Sequence, residues 1–182
     1  MRLGFEPAPK LLRGNGMNAA DQARSVELAQ LIASSVTLFR GQFPAARVNL
    51  TPWRDDPQTR AFAERESLDL AFHFPGWSPR LQCRSLLVQL RLEQAPPARP
   101  RLLGVVLRGL TYESERWRLA TVGDWRPSGS HLPQPEQVAE LQHLCRQLFD
   151  LFATGGQAHA PNGEDGDGED GANGTAANPT AA

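Results

Sequence analysis

Between residues 67 and 123 apolar side chains stand at every second position in four successive runs, the period of a strand with one buried face. The first run alternates Leu68, Leu70, Phe72 and Phe74 against Asp69, Ala71 and His73. The second sets Leu86, Val88, Leu90 and Leu92 opposite Ser85, Leu87, Gln89 and Arg91. The third puts Leu103, Val105 and Leu107 on one side, and the fourth Trp117, Leu119 and Thr121. Connections this short leave no room for crossover helices, so the strands are expected to be antiparallel neighbours. A shorter strand over Arg47–Trp53 would make a fifth.

On either side of these runs the period changes to that of a helix. Leu28, Ile32, Val36, Phe39 and Phe43 recur every three or four residues, widened by Leu31 and Leu38. They predict a helix over 20–41, capped by Asn18 or Asp21 and ended by Gly41 and Pro44. After Pro133 and Pro135, the stripe Val138, Leu141, Leu144, Cys145, Leu148 and Phe152 predicts a second helix, stopped at Gly155-Gly156. Asp55-Asp56-Pro57 would start a short helix reaching about Ala63. A single sheet face covered by the two long helices buries every one of these stripes. The expected fold is therefore α+β and two-layered: an antiparallel four- to five-stranded meander with an N-terminal and a C-terminal amphipathic helix packed on one face.

The remaining segments lack any such pattern. Residues 1–17 contain Pro7, Pro9, Gly14 and Gly16 and read as a flexible leader. They lack the apolar stretch of ~7–15 residues that a secretory signal needs. Residues 154–182 hold Glu164, Asp165, Asp167, Glu169 and Asp170, no Lys or Arg, and past Thr154 no apolar residue larger than Ala. Such a segment cannot bury enough surface to offset its conformational entropy, which predicts a disordered acidic tail. A single domain over 18–153 lies between them. The whole chain carries 19 Lys+Arg against 20 Asp+Glu, a balance that excludes a strongly basic nucleic-acid binder. Lys10 is its only lysine, so arginine carries nearly all the positive charge. No apolar run approaches membrane-spanning length. Two cysteines are too few for a disulfide scaffold or a four-cysteine zinc site. A cytoplasmic protein with free thiols is the expectation.

Candidate chemistry is sparse. His73 and Asp69 share a strand face but sit about 13 Å apart along it, beyond hydrogen-bond reach. His131 lies in a loop with Ser128 and Ser130, without the strand-turn-helix elbow that exposes a nucleophilic serine. Arg84 beside Cys83 would lower that thiol's pKa if the guanidinium were close. Glu113 and Glu115 flank a hairpin tip, where a solvated turn is expected. Asp165, Asp167 and Glu169 alternate with glycine, but the calcium-loop position for a bidentate glutamate is Ala176. No metal and no cofactor is expected.

The sheet's second face is anomalous. Pairing Leu87 with Arg108 and Gln89 with Val106, and closing the next hairpin so that Tyr112 meets Arg116 and Leu110 meets Arg118, gathers an apolar centre within an arginine rim. The expected partner-binding residues are Leu87, Arg91, Val106, Arg108, Leu110, Tyr112, Arg116 and Arg118. Val122 joins the same face. A non-enzymatic protein-binding module follows, an adaptor, assembly factor or chaperone-like domain that uses the open sheet face for a protein partner or self-association. The alternative is a small-molecule-binding domain or modest hydrolase. Its site would lie on the 72–84 segment, read as a loop, with His73, Trp77, Arg80 and Arg84 at the mouth of a cavity between sheet and helices. RNA binding on the sheet ranks third, because Tyr112 alone would offer a stacking ring there and the acidic tail repels nucleic acid.

Overall fold

In the structure, a computed structural model that describes residues 18–52, 67–93 and 99–155, each alternating run is a strand. The strands are β1 (Arg47–Asn49), β2 (Ser67–Ser78), β3 (Cys83–Glu93), β4 (Arg101–Leu110), β5 (Glu115–Ala120) and β6 (Pro127–Gly129). They form one antiparallel sheet in sequential order. The helices are α1 (Ala19–Gln22), α2 (Val26–Gln42) and α3 (Pro135–Thr154). The α+β class holds, and the sheet has six strands rather than four or five. The expected helix after Asp55, the leader and nearly all of the acidic tail lie outside the described residues.

The inner face buries Leu68, Leu70 and Phe72 of β2, Leu86, Val88, Leu90 and Leu92 of β3, Val105 and Leu107 of β4, and Trp117 and Leu119 of β5. Against it pack Leu28, Leu31, Ile32 and Phe39 of α2, and Leu141, Leu144, Cys145, Leu148 and Phe152 of α3. Phe39 stacks on Phe72 with ring centroids 4.9 Å apart. Both helical stripes thus cover one sheet face. The α3 C-terminus ends as its sequence implies, at Gly155 in the left-handed region (φ 73°), whose N–H donates to the Leu151 carbonyl.

Four expectations need correction. The first helix is broken: Ser25 caps α2, its Oγ accepting the Leu28 N–H at 3.1 Å, and α1 is a separate turn. β2 runs on through Pro75-Gly76-Trp77 to Ser78, so the expected loop over 72–80 shrinks to the turn at 79–82. Leu103 is 44% exposed and Leu102 is buried in its stead. A bulge shifts the β3–β4 register between Arg91 and Leu92, and one extra residue exchanges the faces beyond it. The β4–β5 hairpin pairs Val106 with Ala120 and Arg108 with Arg118, not Leu110 with Arg118. Because that shift is two residues, Val106, Arg108, Leu110 and Arg118 stay on the outer face, while Tyr112 falls beyond the end of β4 in the turn. Val122 likewise falls beyond the end of β5, 77% exposed in the following turn.

β6 escaped the sequence reading because Pro-Ser-Gly has no alternation. Gly129 has φ 146°, and a Cβ there would collide with the Arg116 carbonyl oxygen, so the close pairing with β5 needs glycine. At the other edge, β1 pairs β2 only over 71–73, and Asn18 forms a parallel bridge to Asp69 beside it. That bridge extends the cover that β1 gives the β2 edge.

Candidate functional site

The outer face of the sheet has a filled centre. Ala71 and Leu87 are buried there, with half-buried Leu110 packed against them. The β3–β4 register is the expected one, Leu87 opposite Arg108 and Gln89 opposite Val106. It makes Gln89 and Arg108 diagonal neighbours. Arg108 is only 7% exposed: its Nε donates to Gln89 Oε1 at 2.7 Å and its Nη1 to Glu115 Oε2 at 2.5 Å. Arg108 is therefore an internal ion pair and not a rim cation. Glu115, expected in a solvated turn, reaches this pair because a bulge sets it opposite Leu110 at the start of β5. A charge-assisted pair with so little water around it holds its geometry firmly. Of the other expected partner residues, Val106 is half-buried, while Arg91 and Arg118 are exposed.

The open surface lies at one end of the sheet. In an antiparallel meander the β2–β3 turn, the β4–β5 turn and the exit from β6 all emerge at the same end. Trp77 is 41% exposed there, with the Arg116 guanidinium carbon 5.9 Å from its ring centroid. Tyr112 is 80% exposed, with the Arg84 guanidinium carbon 4.9 Å from its ring and Arg84 Nη1 donating to its hydroxyl at 3.3 Å. The link from β6 to α3 is strapped across this end. Ser130 and His131 N–H groups donate to the Arg116 carbonyl, and Gln134 N–H donates to the Arg80 carbonyl. Leu132, 47% exposed, sits between those anchors. Three of the six exposed large hydrophobic residues among those described thus share this end with Arg80, Arg84 and Arg116.

The four residues expected around one small-ligand mouth do not line one cleft, and His73 stands apart from the other three. Trp77 and Arg84 join the sheet end, and Arg80 lines a cleft beside it. His73 lies on the outer face, between β1 and β3. Its Nδ1 is 2.8 Å from Ser85 Oγ and its Nε2 is 3.4 Å from Asn49 Nδ2. The Asn49 amide has a defined orientation, since its Oδ1 accepts the Thr51 N–H at 2.9 Å. Asn49 Nδ2 consequently donates to Nε2, and Nδ1 carries the ring proton toward Ser85. A histidine in that tautomer cannot take the serine's proton, so this pair is not an activated nucleophile. Burial of the ring pulls the His73 pKa below 6.5.

The thiols are inert. Burial pushes both Cys83 and Cys145 up to about 12, so the neighbouring Arg84 does not activate Cys83 as its sequence position suggested. The His131 ring meets Ser130, its Nδ1 3.1 Å from Oγ, and that hydroxyl donates to the Arg116 carbonyl at 3.4 Å. Asp124 and Arg126 form an exposed pair at 4.0 Å. Among the described residues no three His, Cys, Asp or Glu side chains group to hold a metal, and no helix is long and apolar enough to cross a membrane. Residues 20–154 match the model of a family described as a domain of unknown function. No curated protein and no solved structure matches the chain.

Proposed function

We propose a protein-binding function for this chain, which belongs to that family of domains of unknown function. The surface that would carry it is the arginine–aromatic end of the sheet, with Arg118 and Arg91 on the outer face beside it. The observation behind this reading is the pairing of two exposed aromatic rings with guanidinium groups, Trp77 with Arg116 and Tyr112 with Arg84. Aromatic and arginine side chains dominate the energetics of protein interfaces, because the rings bury large area with two rotatable bonds and the guanidinium presents a planar fork of donors. A guanidinium already held over a ring loses less freedom when its remaining N–H groups bind a carboxylate. Leu132 adds an apolar contact. The complementary partner has acidic groups around an apolar or aromatic centre, as expected of a client of an adaptor or assembly factor. A second copy of the chain is the self-associating case.

The experiment compares proteins captured from native extract by the wild-type chain, by Trp77→Ala/Tyr112→Ala, and by Arg118→Glu. Sedimentation analysis of the same three samples reads self-association. A set of captured proteins, or a dimer, lost in the double variant while its circular dichroism stays unchanged is the expected result. Identical capture and identical sedimentation by all three would reject the reading.

A further inference from the structure

Beside the sheet end lies a cleft of about 260 Å³ between the α2–β1 loop, the β2–β3 turn and the first turn of α3. Its floor is apolar: Phe43, Ala46 and Leu81 are buried, and half-buried Phe74 meets Phe43 edge-on at 5.7 Å. Its wall carries the Arg80 guanidinium, which is exposed and makes no ion pair or side-chain hydrogen bond among the described residues. Among the described residues no carboxylate lines the cleft. Glu136, next to the lining residue Gln137, is exposed and makes no ion pair with Arg80 among the described residues. Ser78 Oγ accepts the Leu81 N–H at 3.4 Å, which leaves its own hydroxyl proton to donate.

The walls are preset. The Arg80 carbonyl accepts the Gln134 N–H at 2.9 Å, and the Leu81 carbonyl accepts the Trp117 Nε1–H at 2.5 Å. On the opposite wall, Phe43 N–H donates to the Phe39 carbonyl and Ala46 N–H to that of Phe43. An uncompensated guanidinium on the rim of a preset cleft with an apolar floor and the polar side chains of Gln42 and Gln137 on its walls selects a molecule with one negative end and an apolar body. The volume is below the range of about 300–1,000 Å³ that drug-sized ligands occupy. A dianion is disfavoured, because a single cation would leave its second charge on apolar surface. We propose that this cleft binds a small monocarboxylic acid with a short aliphatic or aromatic body, its carboxylate on Arg80 and its body on Phe43 and Phe74. The inference does not rest on the protein-binding reading.

The test titrates the full-length, nitrogen-15-labelled chain with phenylacetate and hexanoate, and separately with their uncharged amides, following backbone amide shifts. Shifts confined to the amides of residues 43, 45, 46, 74, 78, 80 and 81, with each acid bound about tenfold or more tightly than its amide, are expected. Arg80→Gln should remove that preference and leave amide binding unchanged, Arg80→Lys should restore part of it, and Ala45→Phe should fill the cleft and abolish both. Equal binding of acid and amide overturns the proposal, as do shifts mapping elsewhere. So does binding of a peptide ending in Phe where neither free acid binds. The acid–amide comparison uses the unaltered chain, so no variant's folding decides the outcome.

Discussion

Arg108 and Arg118 face each other across β4 and β5, yet their surroundings assign them opposite roles. Arg108 is closed in by Gln89 and Glu115, whereas Arg118 is exposed. Arg108→Glu would set a second carboxylate against Glu115 in a site with little water. A loss of about 3–5 kcal/mol is expected, the range for breaking a buried pair. Arg118→Glu should change stability by no more than ~0.5 kcal/mol. Urea denaturation of the two variants checks this, and equal midpoints would show that Arg108 contributes nothing through its burial. At His73 the sign follows from the lowered pKa. The unfolded chain takes up a proton near pH 6.5, the folded chain only at lower pH. Between those two values the unfolded state holds more protons, so this residue lowers stability as pH falls and has no effect above the window. A protonated ring would also present N–H to the Asn49 amide donor. Denaturation midpoints measured from pH 7 to pH 5 should fall less steeply for His73→Gln than for wild type.

Along a strand, the consequential positions are those where the alternation is interrupted or a side chain is missing. Gly109 faces Trp117 on the neighbouring strand, and a Cβ there would collide with the indole. The indole cannot yield easily, since it is fully buried and its Nε1–H is held by the Leu81 carbonyl. Gly109→Ala should therefore cost about 1–3 kcal/mol through overpacking. Gly104, also in β4, has open space: a Cβ would lie 3.6 Å from Val122, an ordinary contact. Gly104→Ala should be neutral or stabilising by about 0.4–1 kcal/mol, since it restricts the unfolded chain without a clash. Thermal melts of both variants test the contrast, and the same sign for both would mean that Trp117 moves aside. The bulges in the β3–β4 and β4–β5 pairings act at this scale too. One turns Leu103 outward, and the other brings Glu115 to Arg108.

For the molecule as a whole, the buried core residues described run from Ala19 to Phe152. Deleting residues 157–182 removes none of them and keeps Gly155 as the α3 cap. The melting temperature should shift by less than about 2 °C, and a larger drop would show that the acidic segment docks on the domain. Much of this architecture was legible in the residues themselves. The strand faces, Leu103 apart, and the α3 stripe with its glycine stop follow from the periods of two and 3.6, which the backbone imposes locally, and the Leu87–Arg108 register follows from the length of the connecting loop. Part of the site was legible as well: Tyr112, Arg116, Trp77 and Arg84 were singled out, but as two unrelated groups. Their meeting at one end required the turns to stack, Trp77 to extend β2, and Arg116 to reach across to it. The break before α2, the strand Pro127–Gly129, the internal pairing of Arg108 and the residues that line the cleft at Arg80 also waited for the tertiary structure. Each is decided by which distant residues arrive as neighbours and exclude water from a polar group or leave it exposed. A local period specifies which way a side chain points and carries no information about what it meets.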